Sequence, residues 1–176
     1  MGGTIAQGRG GLLDRLLPNR LLAIASLMLL AAAVIAVLRG QAQWDRVPPL
    51  VWVHLATILA ATALTPMMLL RRKGTMSHRT LGYVWVGAML LTAVTSLFFN
   101  TGGRPGNMGV FTGDFSFIHI LSVWVLLQVP LIAVRARRHE VMRHEASVRG
   151  MVIGALLIAG FFTFPFQRML GSWLFG

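Results

Sequence analysis

Long runs of apolar residues dominate this chain of 176 residues and restrict it to a narrow set of folds. Five such runs occur, at 21–38, 50–70, 81–99, 117–134 and 148–166. Each holds about 18 to 21 residues, and about 20 residues of α-helix span a bilayer core of roughly 30 Å. Because lipid offers no hydrogen-bond partners to the backbone, each run is predicted to be a transmembrane helix.

The overall composition is typical of a membrane protein rather than of a soluble globule. Hydrophobic residues make up 56% of the chain and charged residues 12%, against about 25% charged residues in soluble domains. Cysteine is absent, which excludes a disulfide framework, a zinc thiolate site and a Cys-ligated iron–sulfur cluster. The first run is long for a signal peptide, and Arg39 stands where a small-residue cleavage site is expected, so we predict a retained helix.

Basic residues are distributed unevenly between the segments that connect these runs. Residues 1–20, 71–79 and 135–149 hold twelve of the 16 Lys and Arg residues, and the intervening segments hold the other four. Cytoplasmic loops carry such an excess of positive charge. The pattern therefore predicts a bacterial inner-membrane protein with a cytoplasmic N-terminus and an outer C-terminus. Topology and anionic lipid contact then explain the formal charge of +11, which argues against a nucleic-acid partner.

The predicted architecture is an all-α integral membrane protein with one transmembrane domain over residues 21–168. A cytoplasmic tail over 1–20 repeats leucines at helical spacing, which predicts a short interfacial helix. The outer-side tail over 169–176 is too short to span a membrane. The third and fifth helices are expected to start at their histidines, so their predicted bounds are about 78–99 and 144–166.

Four of the five histidines fall at two depths of this predicted structure. His54 and His119 lie near the outer ends of the second and fourth helices, and His78 and His144 lie at the inner ends of the third and fifth. One pair at each face is what two bis-histidine haems b require, because haem iron takes two axial ligands on opposite sides of a flat ring. Such cofactors are commonly held between facing helices. We therefore predict that the last four helices form an antiparallel bundle around two haems b.

Further residues near these histidines are candidates for contacts with the haems. Guanidinium groups suit haem propionates, glycine leaves room for a flat ring, and aromatic side chains can flank it. The predicted cofactor-binding residues are Arg79, Arg143, Arg149, Gly82, Trp85 and Trp124. Ser77 is expected to cap the third helix and so to direct His78. His139 lies in a highly charged segment and is left out of the ligand set.

Three stretches of sequence carry a resemblance to known proteins. They are HLATILAATALTPMMLLRRKGTMSHRTLGYVWVGAML, FSFIHILSVWVLLQVPLIAVRARR and HEASVRGMVIGALLIAGFFTFP. They resemble a bacterial family of predicted membrane proteins and, more distantly, the transmembrane dihaem b-type cytochromes that include ascorbate-dependent ferric reductases. In that superfamily the second helix shares a haem with the fourth, and the third shares one with the fifth. The resemblance implies that His54 pairs with His119 and that His78 pairs with His144.

The function expected from these features is electron transfer across the membrane through the two haems. Six-coordinate haem iron disfavours oxygen binding and favours one-electron transfer. Besides the lipid bilayer, the candidate partners are quinol, a small reductant, a ferric chelate or another redox membrane protein, and a transmembrane oxidoreductase activity is left open. The alternative is a cofactor-free accessory subunit or small-solute carrier. In that alternative Pro66 and Pro130 kink the second and fourth helices and line a passage.

Overall fold

A computed structural model describes residues 17–99, 109–113, 116–165 and 168–176 of the chain. Within this part the regular elements are all helical, with no strand. The five long helices are α1 (Asn19–Arg39), α2 (Pro49–Leu70), α3 (Met76–Ser96), α4 (Phe117–Arg137) and α5 (Val141–Phe161), which is π-helical over Val152–Ile158. Two 3₁₀ segments and a short terminal helix accompany them: Gly40–Arg46, Gly109–Thr112 and α6 (Met169–Phe175).

Four helical segments in the described part are long and apolar enough to cross a membrane. They are Asn19–Arg46, which includes the first 3₁₀ segment, Pro49–Leu70, Phe117–Arg137 and Val141–Phe161. α3 has a similar length, but its first turn carries polar and charged side chains, including Ser77, His78 and Arg79. The chain is therefore a multi-pass helical membrane protein, which agrees with the predicted all-α membrane architecture.

The third and fifth helices differ from their predicted bounds. α3 covers Met76–Ser96 rather than 78–99, and α5 begins at Val141 rather than at 144. The segment from 141 to 147 is rich in charge, so hydropathy alone does not mark it as part of a membrane helix. The predicted interfacial helix within 1–20 falls largely on residues 1–16, which lie outside the described residues.

Thr75, and not Ser77, caps the N-terminus of α3. The Thr75 hydroxyl accepts a hydrogen bond from the backbone N–H of His78 at 3.2 Å. Gly74 precedes this cap with a φ of 82°, a backbone conformation that other residues rarely adopt. Ser77, which follows the first helical residue Met76, lies inside the first turn of the helix.

Thr75→Ala is expected to destabilise the protein by about 1 kcal/mol, because a helix N–H loses its acceptor. Ser77→Ala is the matched control and should change the free energy of unfolding by less than about 0.5 kcal/mol. Unfolding by denaturant in detergent micelles measures both values. A larger effect at Ser77 than at Thr75 would contradict the assignment of the cap.

Helices that follow one another in the sequence pack against each other, and α3 lies between α2 and α4. On one side the indole N–H of Trp85 in α3 donates to the hydroxyl of Thr65 in α2 at 3.1 Å. On the other side the hydroxyls of Ser96 in α3 and Ser122 in α4 are 2.5 Å apart. α1 contacts both α2 and the π-helical part of α5. The first helix therefore packs against two of the four helices that the sequence predicted to form the bundle.

The two ends of this bundle differ in chemistry. The basic end holds the start of α1, the loop at 71–75 and the turn at 138–140. The far end holds the 3₁₀ segment that follows α1, together with α6. The main apolar core contains residues of all five long helices, and a smaller apolar cluster at the far end joins α1, α2 and α6.

α6 is packed on the far end of α1, in a segment that the sequence predicted only as a tail. Trp173 is 5% exposed, and its indole N–H donates to the side-chain oxygen of Gln43 at 3.1 Å. Arg39 donates to the carbonyl of Leu174 at 2.6 Å. The Trp173 ring lies directly over Gly40, where any Cβ atom would clash with the indole. Docking of α6 therefore requires glycine at this position.

Candidate functional site

A cavity of about 450 Å³ lies at the basic end, with walls from α2, α3, α4 and α5. Buried apolar side chains such as Leu69, Trp85 and Ile132 form part of its wall. Sites that bind small organic ligands and cofactors have volumes in this range. His78 and His144 both line the cavity. The structure thus brings the two histidines of the predicted inner pair to one site.

His144 of α5 is oriented by the backbone of α4. Its ring Nδ1 lies 3.0 Å from the carbonyl oxygen of Ile132, so Nδ1 must carry the proton and donate it. In the neutral ring Nε2 then holds the lone pair that can bind a metal. Metal-ligating histidines typically show this arrangement, in which the second nitrogen is fixed by a backbone carbonyl or carboxylate.

His78 lies in the first turn of α3, where the Thr75 cap holds its backbone. Its Nδ1 atom is buried and has no hydrogen-bond partner among the residues that the structure describes. Leaving a buried polar atom unsatisfied costs about 1–3 kcal/mol. Such an atom calls for an explanation, and a ligand that completes the site is one. His78 therefore lines the cavity with a ring that, unlike the ring of His144, no protein acceptor among the described residues fixes at Nδ1.

The three arginines predicted to meet haem propionates occupy different environments. Arg79 lines the cavity and is exposed. Arg149 also lines it, but it is buried and donates to the side-chain oxygen of Asn19 at 2.6 Å. Arg143 is not among the lining residues, and its exposed guanidinium lies 3.4 Å from the Glu140 carboxylate. Of the three, Arg79 is best placed to reach a ligand.

Arg149 belongs to a polar cluster that joins α1, the 71–75 loop and α5 beside the cavity. Lys73 forms an ion pair with Glu145 at 2.5 Å, and the Asn19 amide donates to the same carboxylate at 3.5 Å. The Asn19 side-chain oxygen in turn accepts from Arg149. The cluster therefore compensates the charge of Glu145 and ties three separate segments together at one side of the site.

Of the predicted glycine and two tryptophans, two residues line the cavity and one lies at the surface. Gly82 lines the cavity, and a Cβ atom there would approach the terminal methyl of Met68 to 3.4 Å. Trp85 also lines the cavity and is buried. Trp124 does not line it; it is 38% exposed and lies beside Gly154 of α5. The structure thus separates Trp124 from the other predicted contact residues.

His54, at the far end of α2, is held against α3. Its Nδ1 lies 3.0 Å from the carbonyl oxygen of Thr92 and 3.1 Å from the hydroxyl of Thr95. The carbonyl requires that Nδ1 carries the proton, which leaves the lone pair on Nε2. The ring also meets Phe99 edge-on, with 4.8 Å between the centroids. His54 therefore resembles His144 in its tautomer.

His119 of α4 is fully buried and has the opposite tautomer. The backbone N–H of Ser116 donates to its Nδ1 at 3.0 Å, as part of a capping box at the start of α4. Nδ1 therefore accepts, and in the neutral ring Nε2 carries the proton. A protonated nitrogen has no lone pair for iron, so in this arrangement His119 does not fit the role of an axial ligand.

His139, which the sequence analysis left out, also lines the cavity. It adopts a left-handed backbone conformation with φ 57° just after α4. Its N–H bonds to the Ala136 carbonyl at 3.2 Å, and the Glu140 N–H bonds to the Arg135 carbonyl at 3.0 Å. These two bonds form a Schellman motif that ends α4 and turns the chain into α5. In the sequence this turn is hidden within a continuous charged segment.

The two prolines expected to line a passage in the alternative hypothesis face different environments. Pro66 is buried within α2, whereas Pro130 is exposed on the surface of α4. Both lie inside helices that continue past them. The positions of these prolines therefore give no support to a shared passage.

Metal sites built from several protein ligands are a separate possibility. Among the described residues, no group of three or more histidine, aspartate or glutamate side chains is placed to hold a metal ion. A bis-histidine haem site needs only two ligands from the protein.

Neither a family model, nor a curated protein, nor a solved structure matches this chain. The resemblance to the dihaem b-type cytochromes therefore stays a prediction.

Proposed function

We propose that the protein is a multi-pass membrane cytochrome of the b type, with a haem held by His78 and His144 at the basic end. One observation carries this proposal. Histidines from two helices line one partly apolar cavity of about 450 Å³, and the ring of His144 is fixed with its lone pair on Nε2. Two neutral imidazoles and an apolar wall are what a bis-histidine haem requires of a protein.

Different residues have different roles at this proposed haem site. The Ile132 carbonyl holds the ring of His144, and the Thr75 cap holds the backbone of His78. Trp85 and its apolar neighbours limit the access of water. Arg79 supplies positive charge where propionates would emerge. A bound haem supplies one-electron redox chemistry, and ligation by two histidines disfavours oxygen binding.

The second haem expected from the sequence has less support at the far end. His54 offers a lone pair on Nε2, but His119 accepts the Ser116 N–H at Nδ1 and carries its proton on Nε2. Ligation by His119 would require this hydrogen bond to break and the proton to move. We therefore propose one haem per chain. Electron transfer across the whole bilayer then needs a partner, such as quinol or another redox membrane protein, to complete the path.

We also propose that α3 crosses the membrane, which gives five spans and a cytoplasmic basic end. The packing of α3 between α2 and α4 supports the crossing, and the excess of basic residues supports the orientation. Because the chain contains no cysteine, single cysteines can be introduced without background labelling. A membrane-impermeant maleimide should label Gly106→Cys, which lies between α3 and α4 in the sequence, in intact spheroplasts and Arg72→Cys, which precedes α3, only after lysis. Labelling of both in intact spheroplasts would contradict this topology.

A reduced-minus-oxidised visible spectrum of the purified full-length protein tests the presence of haem. The protein should be produced in cells supplied with a haem precursor. We expect the narrow bands of a six-coordinate, low-spin b haem, without covalent attachment because no cysteine is present to form a thioether. A colourless preparation would overturn the proposal and favour a cofactor-free accessory subunit or carrier.

A further inference from the structure

The basic-end cavity has an excess of positive charge around its mouth. The cationic side chains that line it are Lys73, Arg79, Arg135, Arg137 and Arg149. Among the acidic residues in the described part of the chain, Glu145 alone lines it. Membrane topology accounts for an excess of basic residues at this end, so an anionic ligand is indicated only by those cations that the protein itself leaves unengaged at the cavity.

Three of these cations are already engaged within the protein. Lys73 pairs with Glu145, and Arg149 donates to the side-chain oxygen of Asn19. Arg135 donates to the hydroxyl of Ser147. These contacts hold the segments around the cavity together, and the charge of Glu145 is compensated within them. Only the charge of Lys73 is neutralised by a carboxylate, whereas Arg135 and Arg149 keep their charge and direct guanidinium donors to neutral acceptors within the protein. In the described part of the chain, no such acceptor engages the other two arginines.

Arg79 and Arg137 are grouped around Tyr83. The Arg137 guanidinium, at the end of α4, lies 5.9 Å from the centroid of the Tyr83 ring. Arg79 precedes Tyr83 by one helical turn and lies on the same face of α3. In the part of the chain that the structure describes, no carboxylate lies within ion-pair distance of either guanidinium. The positive end of the α3 dipole lies at the same place.

We infer that Arg79 and Arg137 bind the acidic head of an amphipathic ligand whose apolar body occupies the cavity. A guanidinium matches carboxylate and phosphate oxygens with paired hydrogen bonds. Basic pockets between transmembrane helices also bind anionic lipid headgroups. Haem propionates and an anionic phospholipid share this chemistry. For haem the inference rests on the proposed function, whereas for a lipid it stands without it.

Comparison of acidic and neutral-head probes on the full-length protein, purified from cells deprived of haem precursors so that no haem occupies the cavity, tests the inference without any substitution. The probes are haemin against its dimethyl ester, and phosphatidylglycerol against phosphatidylethanolamine. Quenching of tryptophan fluorescence follows the porphyrins, because Trp85 lines the cavity, and native mass spectrometry follows the lipids. We expect the acidic member of at least one pair to bind about tenfold more tightly, the effect of roughly one charge-assisted hydrogen bond.

Charge-neutralising variants then test whether these two arginines cause the preference for acidic probes. The double variant Arg79→Gln with Arg137→Gln should abolish the preference for the acidic probe. The matched control is Arg72→Gln with Arg143→Gln, which removes the same charge from exposed positions at the basic end that do not line the cavity. The control should leave the preference within about twofold of the original, because these charges are screened by solvent.

The outcomes test the inference and also distinguish haem from a phospholipid as the ligand. A preference for haemin that the double variant removes supports the inference with haem as the ligand. A preference for phosphatidylglycerol without haem binding supports it with a lipid as the ligand and overturns the proposed function. Equal binding within both pairs overturns the inference, and if haemin is bound in that case the proposed function stands. An equal loss in the control variant also overturns it.

Discussion

His144→Ala is expected to lower the haem content of the purified protein by more than about tenfold, because one of two axial ligands is lost. His78→Ala should have a similar effect, since the same iron loses its other ligand. Haem content per protein, measured as the pyridine haemochrome, gives the result directly. The matched controls are His54→Ala and His119→Ala at the far end, which should keep the original content.

Imidazole added to His144→Ala separates a lost ligand from a misfolded protein. The truncated side chain leaves a space beside the Ile132 carbonyl that a free imidazole can enter. Haem supplied together with imidazole should then restore the low-spin spectrum. If His144→Ala keeps its haem while His119→Ala loses it, the haem lies at the far end and the proposed ligand pair is wrong.

Gly40→Val is expected to detach α6 from the bundle, because the new side chain takes the space of the Trp173 indole. Overpacking of this kind costs about 1–3 kcal/mol, which corresponds to about a 5- to 150-fold rise in the undocked population. Hydrogen–deuterium exchange of the segment Met169–Phe175 measures that rise. Because the site is at the far end, the haem content should stay unchanged.

Gly87→Val is the matched control for this steric argument. A Cβ atom at Gly87 would meet no neighbouring atom within 4 Å. Exchange in Met169–Phe175 should therefore stay as in the original protein. Unchanged exchange in Gly40→Val as well would show that the contact between Trp173 and Gly40 does not hold α6 in place.

Much of the helical architecture could be predicted because it depends on local hydropathy. Runs of apolar residues at 50–70 and 117–134 coincide closely with α2 and α4, since lipid leaves a chain of that length few alternatives to a helix. The start of α5 could not be found in this way, because the sequence RHE at 143–145 interrupts the apolar residues near the start of the helix. It depends on the turn at His139, which is formed by backbone hydrogen bonds rather than by composition.

The sequence predicted that His78 and His144 lie together, but not the detail of their surroundings. Helical rise placed His78 and His144 at one depth, and the structure brings both to the same cavity. Which ring nitrogen carries the proton depends on the atom it faces, a carbonyl for His144 and a backbone N–H for His119. No sequence pattern contains that information. The same holds for Arg143, whose position in the charged segment gave no sign that it faces away from the cavity.

The haem-to-protein ratio of the unmodified full-length protein tests the central claim most directly. Quantitative pyridine haemochrome analysis, combined with amino-acid analysis of the same sample, measures it. The account predicts one haem per chain, held by His78 and His144. A ratio near zero would contradict the haem proposal, and a ratio near two would contradict the argument that the tautomer of His119 excludes a second haem.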